Sequence, residues 1–306
     1  MDKYNIKAID CHMHVVKQIS GFGARGELRS IGGGKASYPN GDVIQVFSDG
    51  KDHLLYTDLL AIMDENKIEK GILLQGPYLG FCNEYTYTSQ QHAKDRLFGM
   101  GIVDPYCIDY MSVVERLIDT MKFKGLKFEI SEGFGLSGYH KGLNLEDENF
   151  MAIWTYLNEK EKNVSLDLGT FGEPSLQVEE VSRIAKQFDK ITFTIEHLFF
   201  PKPNIQAAFT TALNQLKSLQ NINFSVASIP VSTSPEAYPF DKACDYVKRA
   251  KSIVGIDRLM WGTDVPSVLN YASYQALKYY LIDGNVVKDN EIEKIYYNNA
   301  KRVYKL

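Results

Sequence analysis

The chain has 306 residues, 44% of them hydrophobic and 24% charged, with a formal net charge of -4. That balance belongs to a soluble globular protein and offers no basic surface for nucleic acid or an anionic membrane. The length suits a single large barrel domain over residues 1–306, able to bury its core without covalent staples.

Eight short apolar runs punctuate the chain: 6–10 ("IKAID"), 71–75 ("GILLQ"), 97–103 ("LFGMGIV"), 125–130 ("GLKFEI"), 164–169 ("VSLDLG"), 191–197 ("ITFTIEH"), 222–227 ("INFSVA") and 258–264 ("RLMWGTD"). Each has the length and β-branched or aromatic content of a buried strand. Between them, segments 53–68, 110–122, 149–162, 175–188, 205–219 and 241–254 return apolar residues at three- and four-residue intervals. That is the signature of helices packed on one side. Strand and helix alternating in this way predict a parallel (β/α)₈ TIM barrel. No glycine-rich phosphate turn follows the first strand, which argues against an open dinucleotide-binding sheet.

The first connection departs from the pattern. Residues 17–52 contain "SGFGARGELRSIGGGKASYPNGD", too long for an ordinary βα loop. They are expected to lie over the pocket at the barrel mouth as a lid or substrate loop, with Arg25, Arg29 and Lys35 available to hold an anion; a solvated excursion is the alternative. The four cysteines, Cys11, Cys82, Cys107 and Cys244, form no CxxC pair, so reduced thiols in a cytoplasmic protein are expected. The N-terminal residues show no leader pattern, and no run of about 18 apolar residues could span a membrane.

The chemistry starts at "IDCHMHV", residues 9–15. Alternation along a strand points Asp10, His12 and His14 the same way, which in a barrel is inward. Two imidazoles one strand repeat apart can ligate one divalent ion. They can equally be two hydrogen-bonded polar residues. In a closed barrel the eighth strand lies beside the first, so Asp264 of "RLMWGTDVPSV" would stand next to them. A carboxylate there can complete a ligand set and take a proton from water, or simply cap the following helix.

These stretches, with "TIEHLFFP" and the closing "NNAKRVYKL", resemble the amidohydrolase superfamily in its amidohydrolase-related branch, which includes decarboxylases of unsaturated and aromatic acids and a pyrone-dicarboxylate lactonase. The resemblance implies a barrel with a divalent metal, zinc or manganese. His12 and His14 match first-strand ligands, and Asp264 matches the eighth-strand ligand and base. His197 matches a sixth-strand histidine acting as ligand or acid–base partner. Where such proteins carry a fifth-strand histidine, "VSLDLGT" has Asp167, a hard ligand that would favour manganese or leave the metal weakly held. Glu129, inward on the fourth strand with the same parity as Lys127, is a further candidate as ligand, acid or partner of a pocket cation. Tyr139 and His140, in a glycine-rich loop on the pocket side, are candidates for substrate contact. Tyr78 is a candidate to line the pocket, and Trp261 is expected in the core.

The leading expectation is a metal-dependent hydrolase of a small organic substrate, using a metal-activated water. The alternatives are a metal-dependent non-oxidative decarboxylase, a metal-independent lactonase, and a barrel that binds without catalysis. Homo-oligomers fit the resemblance, but no interface is legible.

Overall fold

The computed structural model describes residues 4–306; residues 1–3, where the reading of the N-terminus for a leader begins, lie outside it. All eight expected runs form parallel barrel strands: β1 (Ala8–Met13), β6 (Ile68–Leu73), β7 (Leu97–Gly99), β8 (Gly125–Glu129), β9 (Asn163–Asp167), β10 (Thr192–Ile195), β11 (Ile222–Ser225) and β12 (Leu259–Met260). Pairing runs β1-β6-β7 and β8-β9-β10-β11-β12. The two arcs join at both ends. Gly101 pairs with Leu126, and its carbonyl accepts from Lys127 N at 2.8 Å. On the other side Met13 pairs with Val265, and Cys11 N donates to Trp261 O at 3.2 Å. The ring therefore closes, and β1 and β12 become neighbours.

Every residue of β1 is buried, one face against the barrel interior and the other against the helical layer. This is why the run reads as continuously apolar except where chemistry intervenes. Around the strands lie the helices Tyr56–Glu65, Tyr110–Glu115 (continued by a wider turn, Arg116–Thr120), Glu148–Glu159, Val178–Gln187, Gln206–Leu216 and Asp241–Val254, at the expected segments, with Glu148 one residue ahead of its own. Helices Asn83–His92 and Tyr274–Asp283 complete the layer. The first is polar and buries Asn83, Thr86 and Ser89, so it carries little apolar periodicity. Trp261 is fully buried; its Nε1 donates to Leu277 O at 2.9 Å and its ring packs on Tyr296. It belongs to the core, as expected.

The first connection is ordered rather than an open loop. It folds into an antiparallel sheet, β2 (Ser20–Gly23), β3 (Gly26–Gly32), β4 (Lys35–Ser37) and β5 (Val43–Gln45), in that order. Gly32, Gly33 and Gly34 all have positive φ, which is what the tight turn from β3 to β4 requires. Leu28, Ala36, Tyr38, Val46 and Phe47 are buried beneath it. β2 is sewn to the segment after β6: Phe22 N donates to Pro77 O at 2.8 Å and Ser20 N to Leu79 O at 3.3 Å. Ala24 N reaches Gly133 O beyond β8. The excursion thus braces the rim of the mouth at two connections.

Candidate active site

Closing β12 against β1 brings the two halves of the site together. Asp264 N donates to His12 O at 2.8 Å, placing the Asp264 side chain over the first-strand histidines. Asp10, one repeat below, clamps the same junction. Its Oδ1 accepts from His12 N at 3.1 Å and Thr263 N at 2.9 Å, and its Oδ2 from Thr263 Oγ1 at 2.6 Å and Tyr274 OH at 2.8 Å. Complete burial nonetheless raises its pKa to about 6, against the lowering effect of those bonds.

His197 arrives by an unusual route. After β10 the chain turns through four consecutive positive-φ residues, His197 (54°), Leu198 (47°), Phe199 (63°) and Phe200 (46°). Left-handed conformations cost non-glycine residues about 1–2 kcal/mol each. Leu198 and Phe199 are fully buried, and that burial offsets the strain. Asp264 itself has φ of 75°. Such strain gathers where surrounding structure must aim a functional side chain.

The ring nitrogens are oriented individually. His12 Nδ1 donates to Glu196 Oε2 at 2.7 Å, and Glu196 Oε1 accepts from Ser165 Oγ at 2.6 Å. Burial first, and then Lys127, push the His12 pKa well down, so the ring is neutral and Nε2 carries a lone pair. That nitrogen is buried without a hydrogen-bond partner, 3.4 Å from Asp264 Oδ1. His197 Nδ1 donates to Ala227 O at 2.9 Å, which turns Nε2 toward the centre. His14 Nε2 lies 2.9 Å from the same Asp264 oxygen. Burial would raise the Asp264 pKa, but His12, the His14 hydrogen bond and His197 outweigh it and hold the carboxyl well below the usual range.

Ligand atoms of His12, His197 and Asp264 all lie within 4.8 Å of one another. A lone-pair nitrogen with no other partner, a second imidazole pinned through its far nitrogen, and an ionised carboxylate suit a divalent ion. The donors therefore fit a metal. The grouping differs from the sequence expectation in its membership: His197 stands in it, whereas His14 approaches through Asp264. Asp167 Oδ2 lies 3.6 Å from His197 Nε2, at the edge of the cluster.

A cavity of about 380 Å³ opens above this cluster. His14, Lys127, Glu129, Asp167, His197 and Asp264 face its floor, and Tyr78, Phe134, Phe200 and Tyr271 form its walls. Burial raises the Glu129 pKa to about 8, Lys127 only partly opposing it, so the acid is largely protonated at neutral pH. Burial disfavours the Lys127 charge, but Glu129, Asp167, Glu196 and Asp264 more than compensate and keep it an ammonium. Gly76 makes room for the acid: a Cβ there would come 1.8 Å from Glu129 Oε2.

Four residues expected at the substrate lie elsewhere. Arg25 is held by Asp42 at 3.0 Å and stacks on Tyr38, while Arg29 pairs with Glu27 at 2.9 Å on the exposed side of the small sheet. Tyr139 packs on Phe22, and His140 Nε2 pairs with Asp104 Oδ2 at 2.7 Å; neither lines the cavity. Arg25 and Arg29 find carboxylates within the small sheet, Phe22 of that sheet covers Tyr139, and Asp104, beyond β7, holds His140. Conversely, Glu196 was overlooked, although its place directly before His197 in "TIEH" was a usable signal.

Comparison with known proteins agrees with this architecture. Among curated proteins none matches the sequence. Among solved structures, a probable 2-pyrone-4,6-dicarboxylic acid hydrolase from Acinetobacter baumannii with citric acid bound is 16% identical, with a TM-score of 0.71 over 98% of this chain and 100% of that one. An amidohydrolase from Burkholderia multivorans with bound zinc is 15% identical, with a TM-score of 0.73 over 98% and 100%. A 5-carboxyvanillate decarboxylase from Novosphingobium aromaticivorans with bound manganese is 16% identical, with a TM-score of 0.56 over 81% and 80%. At these identities the likeness establishes the barrel fold. Residues 9–306 match the amidohydrolase family, and the chain belongs to that family.

Proposed function

We propose that this site hydrolyses a carbonyl ester, lactone or amide of a small organic molecule with the help of a divalent metal ion. His12, His197 and Asp264 would hold the ion, with His14 steadying Asp264 and Asp167 beside His197. When bound, the ion supplies Lewis acidity toward a carbonyl oxygen or a water at the cavity floor. The chain supplies the proton handling. Asp264, ionised, takes the proton of the attacking water as its oxygen bonds to the carbonyl carbon. Lys127, a buried ammonium, faces the negative charge that develops on the carbonyl oxygen. Glu129, protonated near neutrality, gives its proton to the leaving oxygen or nitrogen as that bond breaks. Asp264 returns its proton to Glu129 through solvent, so the net change is addition of one water.

The observation that carries this reading is the buried, unpartnered His12 Nε2 held beside Asp264. A lone pair left without a donor in a buried site is expensive unless something binds it. Protein purified without chelators is expected to carry about one equivalent of zinc or manganese. His12→Ala and Asp264→Asn proteins should lose it and lose hydrolysis, and full turnover by either variant would end the proposal. The neighbouring Asp167, an oxygen donor, favours manganese over zinc.

A protonated Glu129 over the cavity floor also supports a second reading, non-oxidative decarboxylation, in which that acid protonates the carbon from which carbon dioxide departs. Product analysis separates the two: carbon dioxide without addition of water selects the lyase. Retention of hydrolysis after complete metal removal would select the metal-independent lactonase, and no turnover with any metal a binding barrel. The four free cysteines support a reducing, cytoplasmic setting.

A further inference from the structure

A barrel interior is ordinarily filled by branched apolar side chains. Here one wall of it is polar. The register sets Lys127, Ser165, Thr194 and Asn223 side by side across β8, β9, β10 and β11, on the face that carries Glu129, Asp167 and Glu196 one repeat higher. All four are buried. The remaining strands supply an apolar wall of Ile9, Cys11, Ile72, Leu74, Met100 and Met260. Tyr304, directly after the helix Asn299–Val303, packs against that wall and closes the end of the barrel opposite the mouth. From the same segment Arg302 Nη2 donates to Asn223 Oδ1 at 3.2 Å.

Glu196 is met from three strands. Ser165 Oγ donates to Oε1 at 2.6 Å, His12 Nδ1 donates to Oε2 at 2.7 Å, and the Ser225 hydroxyl donates to the same carboxylate. Cys11 Sγ in turn donates to Ser225 Oγ at 3.7 Å. A carboxylate offers about four acceptor sites, so one remains. Below it stand two buried hydroxyls, Tyr304 OH and Thr194 Oγ1, neither with a hydrogen-bond partner in the protein. They are neighbours, with Glu196 and Cys11 close to the phenol. Buried hydroxyls left unmatched are expensive, and a buried water with several polar partners is the usual remedy.

We propose that Tyr304 is a positioning residue for the metal site, acting through one buried water. The water accepts from Tyr304 OH and donates to Thr194 Oγ1 and to the remaining acceptor site of Glu196. From the closed end of the barrel Tyr304 thereby holds Glu196 where Glu196 aims His12 Nε2. The proposal rests on the metal-site reading for its consequence, but not for its hydrogen bonds.

Dissociation constants of zinc and manganese from the full-length protein, measured by equilibrium dialysis, test it. Tyr304→Phe and Thr194→Val each remove one partner of the water and should weaken metal binding about three- to tenfold, less than a change in a group that touches the ligand itself. In a Glu196→Gln background neither substitution should weaken it further, because the effect passes through that carboxylate. Tyr296→Phe serves as control: it removes a buried hydrogen bond to Lys278 O in the larger core, and should lower the melting temperature with metal affinity unchanged. Unchanged affinity in either Tyr304→Phe or Thr194→Val overturns the proposal. So does an undiminished loss in the Glu196→Gln background, or an equal loss in Tyr296→Phe. If the wild type binds neither ion, the metal reading falls, and the positioning role is read from the ¹⁵N resonances of the His12 ring. Their displacement in Tyr304→Phe and Thr194→Val but not in Tyr296→Phe upholds it; their constancy in either of the first two overturns it.

Discussion

Replacing Asp10 by alanine should damage the protein more than any single change that spares the catalytic groups. The carboxylate accepts four hydrogen bonds, from His12 N, Thr263 N, Thr263 Oγ1 and Tyr274 OH, and is fully buried. Alanine leaves those donors without an acceptor at about 1 kcal/mol or more each, so a loss of about 4 kcal/mol is expected. Asparagine keeps an oxygen for the two backbone donors, and the two hydroxyls can rotate to accept from its amide, so about 1 kcal/mol is expected for Asp10→Asn. The effect must also depend on pH. The folded-state pKa of about 6 lies above the ordinary value of 3.8, so the native state binds the proton more tightly than the unfolded chain. Whatever Asp10 contributes is therefore greatest below pH 4 and declines as pH rises through 6. Between pH 5 and pH 7 the gap between wild type and Asp10→Ala should shrink by about 1 kcal/mol. Urea denaturation at both pH values measures this. A loss below 1 kcal/mol for alanine, or a gap that widens with pH, would refute the account of Asp10 as the clamp between β1 and β12.

Glu196→Gln keeps the size of the residue that orients His12 but weakens its acceptor, and should lower metal affinity 10- to 100-fold in equilibrium dialysis with little change in fold. Glu129→Gln should reduce kcat by about 10²- to 10⁴-fold. In the wild type, activity that needs protonated Glu129 is present below pH 8 and declines as pH rises through it, and the glutamine variant should lose that alkaline limb. Gly76→Ala would press a methyl 1.8 Å from Glu129 Oε2, so it should displace the acid and depress kcat more than KM while metal content stays intact. An unaltered kcat in that variant would mean that the acid does not work from its observed position.

Much of this molecule was legible in its sequence because the signals are local. Strand runs and helical periodicity located all eight barrel strands and six of the surrounding helices, since burial on both faces of a strand leaves a continuous apolar record. The nearness of His12, His14 and Asp264 was legible because a closed barrel must place its first and last strands side by side. The small antiparallel sheet escaped, its strands being short and its glycines equally compatible with a loose loop. Arg25, Tyr139 and His140 looked free for a substrate only while their partners Asp42, Phe22 and Asp104 were distant in the chain, whereas Arg29 meets Glu27 only two residues away. Tertiary structure alone determined that Glu196 orients His12, that Gly76 leaves room for Glu129, and that a left-handed turn aims His197. Composition and periodicity record which residues are buried, but hydrogen-bond partners and pKa values depend on distances between residues far apart in the chain, which only the closed barrel sets.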